Sequence, residues 1–354
     1  MVCFKCDVYV GLVGCVCEIM RIIIPMAGMG KRMRPHTLVT PKPLIEFAGK
    51  PMVHHIVEEL AKTCHEPIEE IAFIIGRFGE QAEKSLIAVA EKLGAKGSIY
   101  YQDEPLGTAH AVLCAKESLK GKVIVGFADT LFKGNFELDE SMDSVIWVQQ
   151  VADPRAFGVV KLNSNNLITD FVEKPQEFVS DLAIIGIYYF KDGENLRSEL
   201  QYLIDNDLKE KGEYQITNAL ENMQRKGLRF APGKVAEWLD CGNKNATVET
   251  HSRWLQLNPH TNTTGAGLHS ENAVVVQPCF IGNNVKLSNS VVGPNVSIAD
   301  GTSISNSVVQ NSIIQKNTSI RNSVIDNAMI GSHAEIHGAA QAFSLGDYST
   351  MKHE

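Results

Sequence analysis

A short phrase returns three times near the end of the chain. It reads SNSVV at 288–292, SNSVV at 305–309 and RNSVI at 321–325, a spacing of about 17 residues. Aliphatic residues recur through this region at steps of five or six: Val275, Ile281, Leu287, Val292, Ile298, Ile304, Val309, Ile314, Ile320, Ile325, Ile330 and Ile336. Three such steps complete one coil of a triangular parallel β-helix, whose aliphatic residues point inward while Asn and Gly turn the corners. The repeat predicts roughly three and a half coils. An antiparallel sheet would instead need longer runs of period-two alternation.

Before about Thr261 the chain alternates short apolar runs with amphipathic ones. Predicted strands cover 21–27, 71–76, 98–102 and 122–128, and predicted helices cover 51–63, 80–94 and 107–119. This alternation of strands and helices is typical of a doubly wound, Rossmann-like α/β sheet. Ligands of such sheets bind outside the carboxyl ends of the strands, so the loops after Met26, Tyr101 and Phe127 are expected to carry the chemistry.

The 354 residues allow a large domain and a smaller module. We predict an α/β domain over 20–260, the β-helix over 261–337 and a C-terminal tail over 338–354 that caps the last coil. Residues 1–19 hold four of the eight cysteines. We interpret them as an added leader outside the fold, from an upstream start codon; the alternatives are a weak secretory or lipoprotein leader and a small cysteine metal loop.

Composition narrows the choice of partners. The net charge of -8 leaves no basic footprint for nucleic acid. No stretch of about 20 apolar residues is present to span a bilayer. We therefore expect a cytoplasmic protein without a nucleic-acid or membrane partner. The flat faces and open ends of a β-helix favour self-association, which predicts a homo-oligomer.

The loop after the first predicted strand reads PMAGMGKRMRPHTLVTPKPL, over 25–44. Its glycines, Gly28 and Gly30, allow backbone N–H groups to approach a polyphosphate, and Lys31, Arg32 and Lys42 supply positive charge. The loop lacks the further glycine of a dinucleotide fingerprint and the G-K-[ST] of a P-loop. A tight strand-to-helix turn is the alternative explanation for the glycines alone.

The whole segment, with its Arg, Pro and TPKPL, resembles the signature of the nucleotide-sugar pyrophosphorylases, also called sugar-1-phosphate nucleotidyltransferases. Seven further matches follow in the order of that family: QDEPLGTAHA (102–111), VGFADTLF (125–132), AFGVVKL (156–162), FVEKP (171–175), IIGIYYF (184–190), GEYQITNAL (212–220) and WLDCG (238–242). They lie within about 21–245, and a short left-handed β-helix is a familiar companion. The glucose-1-phosphate thymidylyltransferase and uridylyltransferase branch is the most similar. Ala27 departs from the pattern, since the family usually has the first glycine of a G-G pair there.

The resemblance implies a nucleotide site. Arg32 and Lys42 would grip the triphosphate and stabilise charge developing at the α-phosphate. Gln102 would hydrogen-bond the edge of the base, with Gly107 and Thr108 beside the base and ribose. The remaining nucleotide-binding positions belong to the glycine loop: Ala27, Gly28, Gly30 and Lys31.

A metal pair is implied in the same way. Asp129 would bind Mg²⁺ at the end of an apolar strand, and Asp240 in WLDCG would be the second aspartate on that ion. Two carboxylates and nucleotide oxygens suit this hard cation. Each aspartate alone is equally explained as a cap or turn residue.

On the sugar side, the resemblance implies that Glu173 accepts hydrogen bonds from sugar hydroxyls and that Lys174 holds the 1-phosphate. Gly158 and Gly186 would bring backbone against the sugar. Glu213 is a further sugar-phosphate candidate, although its segment is also a plausible helix start. A surface Glu-Lys pair is the alternative for 173–174.

The implied reaction is attack by an oxygen of the sugar 1-phosphate on the α-phosphorus of the triphosphate, with release of pyrophosphate. A phosphate monoester is already nucleophilic at neutral pH, so positioning and charge neutralisation supply the rate. The catalytic residues would be Arg32, Lys42, Asp129 and Lys174.

Glucose 1-phosphate with dTTP is the expected substrate pair. The alternatives are a uridylyltransferase that uses UTP with glucose or N-acetylglucosamine 1-phosphate, and a mannose-1-phosphate guanylyltransferase. Two other classes stay open. One adds an acyltransferase in the β-helix, where His333 and His337 fall near the end. The other is a non-catalytic scaffold or regulatory homologue.

Overall fold

A computed structural model describes residues 19–134, 138, 141–339 and 350. Nearly all of the predicted leader and of the predicted tail therefore lies outside the described residues. The α-helices are α1 Met52–Thr63, α2 Glu80–Lys92, α3 Thr108–Leu113, α4 Gly193–Asp205, α5 Ile216–Arg225 and α6 Lys244–Leu257. Among the described residues, no helix has the length and apolar character needed to cross a membrane.

The strands ahead of α6 are β1 Met20–Pro25, β2 Glu46–Phe47, β3 Lys50–Pro51, β4 Ile68–Ile75, β5 Lys96–Tyr101, β6 Lys122–Gly126, β7 Thr130–Lys133, β8 Ser144–Gln150, β9 Gly158–Leu162, β10 Ile168–Glu173, β11 Leu182–Phe190, β12 Phe230–Gly233 and β13 Glu237–Asp240. Most of them form one mixed sheet in the order β10-β9-β11-β6-β1-β4-β5, with β8 joined to β11 and β12. The strands β6, β1, β4 and β5 are parallel, whereas β11 runs antiparallel to β6. The carboxyl ends of β1 and β6 consequently meet at one edge.

Both faces of this sheet are buried. Ile22 and Ile24 of β1 pack in one hydrophobic cluster with α1, α2 and α6, while Ile23 between them packs in a second cluster with α3, α4 and α5. Successive side chains of a strand point to opposite faces, so helices must cover both sides. The doubly wound α/β prediction is confirmed.

One predicted helix is shorter than expected. The sequence predicted a helix over 107–119, but α3 ends at Leu113. Beyond it the backbone bonds span three residues rather than four, from Lys116 N to Leu113 O at 2.9 Å and from Ser118 N to Ala115 O at 2.9 Å. The Ser118 hydroxyl lies 2.8 Å from the Tyr100 hydroxyl, which holds this tighter turn against β5.

The C-terminal strands are β14 His269–Glu271, β15 Val274–Val275, β16 Cys279–Ile281, β17 Lys286–Ser288, β18 Val291–Val292, β19 Val296–Ile298, β20 Ser303–Ser305, β21 Val308–Val309, β22 Ser312–Ile314, β23 Ser319–Arg321, β24 Val324–Ile325, β25 Met329–Ile330 and β26 Glu335–His337. They form three parallel sheets, β14-β17-β20-β23-β26, β15-β18-β21-β24 and β16-β19-β22-β25. All twelve aliphatic residues of the predicted repeat lie in or against one shared core. The β-helix prediction is confirmed, although the thirteen described strands complete more than four coils where three and a half were predicted. Its left-handed sense stays a prediction.

Asparagines turn the corners of these coils. Asn272, Asn289, Asn306 and Asn322 all have positive φ, a conformation that Asn tolerates better than most residues. Their side chains also bond to one another from coil to coil, at 2.9, 3.2 and 3.1 Å. The corner asparagines therefore stabilise the register of the stack as well as its turns.

Candidate functional site

A cleft of about 290 Å³ opens at the edge where β1 and β6 end. Three segments distant in the sequence supply its walls, namely the glycine loop, the loop after β6 and the turn after β13. The lining residues are Pro25, Met26, Gly28, Gly30, Lys31, Arg32, Lys42, Pro43, Phe127, Ala128, Asp129 and Gly242. The cleft thus brings the three cations of the glycine-loop segment, Lys31, Arg32 and Lys42, together with Asp129 from a separate motif.

Lys42 and Asp129 form an ion pair in this cleft. Lys42 opens the short 3-10 helix Lys42–Leu44 and is only 7% exposed. Its Nζ donates to Asp129 Oδ2 at 3.0 Å, and the Asp129 side chain is 44% exposed. A nearly buried cation therefore faces a carboxylate that water and ligands can reach.

The two predicted metal aspartates lie at one end of a two-stranded ribbon. Strand β13 pairs antiparallel with β7, opposing Asp240 to Thr130, and the N–H of Cys241 donates to the carbonyl of Asp129 at 3.0 Å. The N–H of Gly242 donates to Asp240 Oδ1 at 2.8 Å. Burial raises the pKa of Asp240; the Gly242 bond opposes this rise and the negative charge of Asp129 adds to it. The two carboxylates are thus close enough to interact.

The donor set of this pair suits a hard cation. Over the described ranges of the chain, no cluster of three or more His, Cys, Asp or Glu side chains is suited to a metal. Two carboxylates leave coordination positions for phosphate oxygens and water, which is how Mg²⁺ is usually bound beside a nucleotide. Asp129 and Asp240 therefore fit a Mg²⁺ ion whose coordination shell a substrate completes.

The glycine loop divides into a tight part and an open part. Gly30 has φ +56°, and a Cβ there would lie 3.0 Å from Thr37 Cγ2 and 3.1 Å from Lys42 Cβ. The Thr37 hydroxyl donates to the Gly30 carbonyl at 2.8 Å, which closes the turn. Gly28 has open space around its Cα, and Lys31 and Arg32 are exposed. Packing explains Gly30, whereas Gly28, Lys31 and Arg32 are accessible to a ligand.

A second cleft of about 440 Å³ begins on the other side of Gly28. Ala27, Gly76, Arg77, Gln102 and Asp103 are among its lining residues. Gly76, Arg77 and Asp103 were not singled out from the sequence. The rule that ligands bind beyond the carboxyl ends of parallel strands would have found Gly76 and Arg77, since they directly follow β4.

The side chain of Gln102 has a fixed orientation in this second cleft. Its Nε2 donates to the carbonyl of Gly107 at 3.2 Å and lies 3.1 Å from Nδ1 of His110. Burial lowers the pKa of His110, so the imidazole is neutral and Nδ1 can accept. His110 therefore positions the residue predicted to read the base.

Gly107 and Thr108 have a structural explanation. Gly107 has φ +118°, and a Cβ there would lie 2.4 Å from the carbonyl oxygen of Tyr214. The Thr108 hydroxyl accepts from the N–H of Ile216 at 3.0 Å and donates to Gln215 Oε1 at 3.2 Å. Both residues join the start of α3 to the segment before α5, so contact with a nucleotide is not needed to account for them.

Three of the sugar-side candidates lie together at the end of the β9 and β10 hairpin. Lys174 Nζ lies 3.0 Å from Glu173 Oε1, and a Cβ on Gly158 would lie 3.1 Å from Glu173 Oε2. The Thr217 hydroxyl donates to that same Oε2 at 3.4 Å. The Glu173 side chain is nearly buried while that of Lys174 is half exposed, so this is more than a surface ion pair.

Gly186 and Tyr188 connect the sugar-side residues to the cleft. Gly186 has φ +83° and its carbonyl accepts from the N–H of Phe127 at 2.9 Å. Tyr188 is buried on the same strand; burial raises the pKa of its hydroxyl, and the carboxylates of Glu173 and Asp129 add to the rise. Tyr188 therefore lies near both carboxylates. Its spacing of two residues from Gly186 on β11 could have indicated it.

Glu213 lies apart from that group. It is exposed and precedes α5, and its Oε2 accepts from Gln215 Nε2 at 3.1 Å. Its Cβ would be 3.0 Å from a Cβ on Gly107. The structure thus places Glu213 beside Gly107 and brings it to neither Glu173 nor Lys174 by a direct bond.

The sequence is similar to several proteins of known name. It is 30% identical over 267 residues to the bifunctional protein GlmU of Methanococcus maripaludis strain C7, covering 72% of this chain and 62% of that protein. Over 180 residues it is 38% identical to the mannose-1-phosphate guanylyltransferase catalytic subunit beta of Drosophila melanogaster, covering 48% of each. Over 319 residues it is 27% identical to the glucose-1-phosphate thymidylyltransferase of Streptomyces antibioticus, covering 83% of this chain and 87% of that protein. The chain thus spans less than two thirds of the first two relatives.

Solved structures show the same fold. A UDP-glucose pyrophosphorylase in complex with UDP-glucose superposes with a TM-score of 0.56 at 22% identity, covering 68% of this chain and 99% of that one. A model of the nucleotidyl transferase family matches residues 21–256, more than half of the 354 residues and the whole stretch from β1 to α6. The chain therefore belongs to the nucleotidyl transferase family.

Proposed function

We propose that the chain is a sugar-1-phosphate nucleotidyltransferase that converts a nucleoside triphosphate and a sugar 1-phosphate to a nucleotide sugar and pyrophosphate. One observation carries the proposal: Lys42, Asp129 and Asp240 converge at the carboxyl ends of β1 and β6. Exposed Lys31 and Arg32 line the same cleft, and Gly28 lines both this cleft and the one that holds Gln102. This arrangement suits a triphosphate with its base in the second cleft.

Charge neutralisation is the chemistry that these residues offer. Arg32 and Lys42 hold the triphosphate and stabilise negative charge as the bond to pyrophosphate breaks. Asp129 and Asp240 would hold Mg²⁺, which supplies further neutralisation of phosphate oxygens when bound. The attacking sugar phosphate is already an anion, so the mechanism needs no general base. Positioning of the two substrates in line does the rest.

The sugar 1-phosphate is assigned to the side of Glu173. Its nearly buried carboxylate, held by Lys174 and Thr217, is set to accept hydrogen bonds from hydroxyl groups, and Lys174 offers a half-exposed cation to the phosphate. Gly158 and Gly186 belong to the proposal as positions where backbone lies against the sugar, although a Cβ at either one would already lie 3.1 or 3.4 Å from protein atoms. Glu213 belongs to this proposal with less support, because it lies beside Gly107.

Glucose 1-phosphate and dTTP are the proposed substrates. The Streptomyces antibioticus relative, named a glucose-1-phosphate thymidylyltransferase, supports this choice because the match covers most of both chains. The sequence resemblance keeps UTP with glucose or N-acetylglucosamine 1-phosphate as one alternative. The relative named a mannose-1-phosphate guanylyltransferase keeps GTP with mannose 1-phosphate as another. A matrix of the four common triphosphates and dTTP against sugar 1-phosphates, read by pyrophosphate release, tests the assignment. The largest kcat/KM with dTTP and glucose 1-phosphate is expected, and another preferred pair would replace it.

The proposal assigns the reaction to residues 20–260, as a cytoplasmic enzyme that self-associates through its β-helix over 261–337. An added acyltransferase is disfavoured, since the described strands form few coils and both His333 and His337 fall near the end of them. Acetyl-CoA binding by the full chain would revive that alternative. Formation of a nucleotide sugar by the chain alone would exclude the alternative of a non-catalytic scaffold or regulatory homologue.

A further inference from the structure

We propose that the β-helix positions the loop that carries Lys42, with Ser297 and Gln315 as positioning residues for the nucleotide half of the reaction. The inference rests on the proposed function. It gives the repeat region a role in catalysis besides assembly. The short β2–β3 hairpin follows Lys42 in the chain.

The tip of this hairpin is seated on the β-helix. Ala48 and Gly49 connect the strands with φ of +47° and +81°, as in a two-residue turn with both central residues left-handed. The N–H of Ala48 donates to the hydroxyl of Ser297 on β19 at 3.0 Å. A Cβ on Gly49 would lie 2.7 Å from the ring of Phe280 on β16, so the backbone must pass closely over that ring.

The first strand of the hairpin is held by the next coil. Gln315 Nε2 donates to the carbonyl of Glu46 at 2.7 Å. Lys316 Nζ lies 2.8 Å from Glu46 Oε1. Glu46 is therefore bound through both its backbone and its side chain to residues that follow β22.

Only three residues separate Glu46 from Lys42. The N–H of Ile45 donates to the carbonyl of Lys42 at 3.2 Å, and the N–H of Met52 donates to the carbonyl of Ile45 at 3.0 Å. Ile45 is buried. Because this link is short, packed and hydrogen-bonded, a shift of the hairpin reaches Lys42 rather than being absorbed by a flexible segment.

Ser297 also ties the hairpin to α6. Its hydroxyl lies 2.8 Å from Nε2 of His251, while His55 Nε2 on α1 lies 3.0 Å from the carbonyl of Phe47. These groups are buried around the aromatic ring of Phe47. Loss of the Ser297 hydroxyl would leave both Ala48 N–H and His251 without this partner.

The outer part of the loop is not held in this way. A cavity of about 390 Å³ separates it from the last coils, lined by His36 and Val39 on one side and by Met329 and His333 on the other. The hairpin is thus the point at which the β-helix grips the segment that carries Lys42.

The test compares Ser297→Ala and Gln315→Ala with Ser303→Ala and Gln310→Ala in the full chain. Ser303 lies on β20 in a different sheet, and Gln310 interacts with Asp326 inside the β-helix, so neither control touches the hairpin. For each variant, kcat and KM for both substrates are measured by pyrophosphate release with Mg²⁺. Binding of dTTP and UTP is measured by calorimetry, and Tm by circular dichroism.

Ser297→Ala and Gln315→Ala are expected to lower kcat/KM for the triphosphate about tenfold, as loss of a buried hydrogen bond allows. KM for the sugar 1-phosphate should stay within about twofold, and the controls should behave as wild type. If Ser297→Ala does not fold, Gln315→Ala at the edge of the interface decides the matter. Wild-type kcat and triphosphate KM in a folded variant, or an equal rise of KM for both substrates, would overturn the inference.

The two proposals fail separately. If the wild-type chain releases pyrophosphate and the Ser297 and Gln315 variants have the same kcat and KM, only the positioning role is contradicted. A wild-type chain that binds a triphosphate without releasing pyrophosphate contradicts the proposed function. In that case the calorimetric comparison of the same variants still decides whether the β-helix positions the loop.

Discussion

Lys42 Nζ and Asp129 Oδ2 lie 3.0 Å apart, although 87 residues separate them in the chain. Each neutralises the other at the centre of the cleft. In the proposed function a triphosphate would compete for Lys42 and a bound Mg²⁺ for Asp129, so both partners would exchange when substrates arrive. The ion pair is thus consistent with a site prepared for substrates.

Asp129→Asn removes the carboxylate charge with almost no change of shape. We expect kcat to fall by about 100-fold or more, because Asn would hold Mg²⁺ more weakly, and the positive charge of that ion offsets the phosphate oxygens. The Asn oxygen can still accept from Lys42 Nζ, but the nearly buried Lys42 loses its countercharge, so a moderate loss of Tm is expected as well. Asp153→Asn is the matched control, since Asp153 pairs with Arg155 on the surface. Equal turnover by the two variants would refute the role of Asp129.

Glu173→Gln tests the sugar side. Loss of a charge-assisted acceptor is expected to raise KM for the sugar 1-phosphate about tenfold or more, while KM for the triphosphate stays unchanged. Asp170→Asn on the same strand is the control, because Asp170 is exposed and accepts from Thr169. A change in the triphosphate KM alone would show that Glu173 acts on the triphosphate and not on the sugar 1-phosphate.

Gly107→Ala separates a structural glycine from a ligand-binding one. A Cβ would meet the Tyr214 carbonyl oxygen at 2.4 Å, so the variant should lose several degrees of Tm. Gly212→Ala is the control, because Gly212 also has positive φ but no atom within 4 Å of its Cβ position. It should lose about 1 kcal/mol from backbone strain alone. Equal Tm values would contradict the packing explanation.

Stability is predicted to fall as the pH decreases below 6.5. Burial lowers the pKa of His55 to about 4 and of His251 to about 3. The unfolded chain takes up protons near the ordinary pKa of 6.5, whereas the folded protein does not. The contribution of these neutral histidines is therefore complete above pH 6.5. Below that pH, each histidine lowers the free energy of unfolding by up to about 1.4 kcal/mol per pH unit.

His251→Gln removes one of the two histidines that take up a proton on unfolding. Between pH 6.5 and 5.5, the loss of unfolding free energy measured in urea should be smaller than that of wild type by about 1 kcal/mol, because the unfolded histidine is only partly protonated in this range. The amide of Gln can still bond to Ser297, which preserves the local packing. Identical losses would show that His251 is not a buried neutral residue.

The repeat region was the most predictable part of the fold. Each coil contacts only its neighbours, so a local pattern of aliphatic residues and corner asparagines specifies the stack. Ile304 and Ile320 are buried in its core, and Asn306 turns a corner with positive φ. The strand and helix alternation before Thr261 was predictable for the same reason, because each period reports a locally buried face.

The sequence pattern does not predict contacts between segments that are distant in the chain. The order of the motifs suggested that Asp129 and Asp240 act together, yet the β7–β13 ribbon that joins them appears only in the fold. The bond from Ala48 to Ser297 spans 249 residues and depends on how the β-helix packs on the α/β domain. Tyr188 looked like one more apolar strand residue, and its spacing of two residues from Gly186 was the single local sign of its position.

Pyrophosphate release by the full-length chain with Mg²⁺ tests the central claim most directly. The account predicts release only when a triphosphate and a sugar 1-phosphate are both present, with one nucleotide sugar formed for each pyrophosphate. Release from a triphosphate alone, or none with any pair in the substrate matrix, would contradict it.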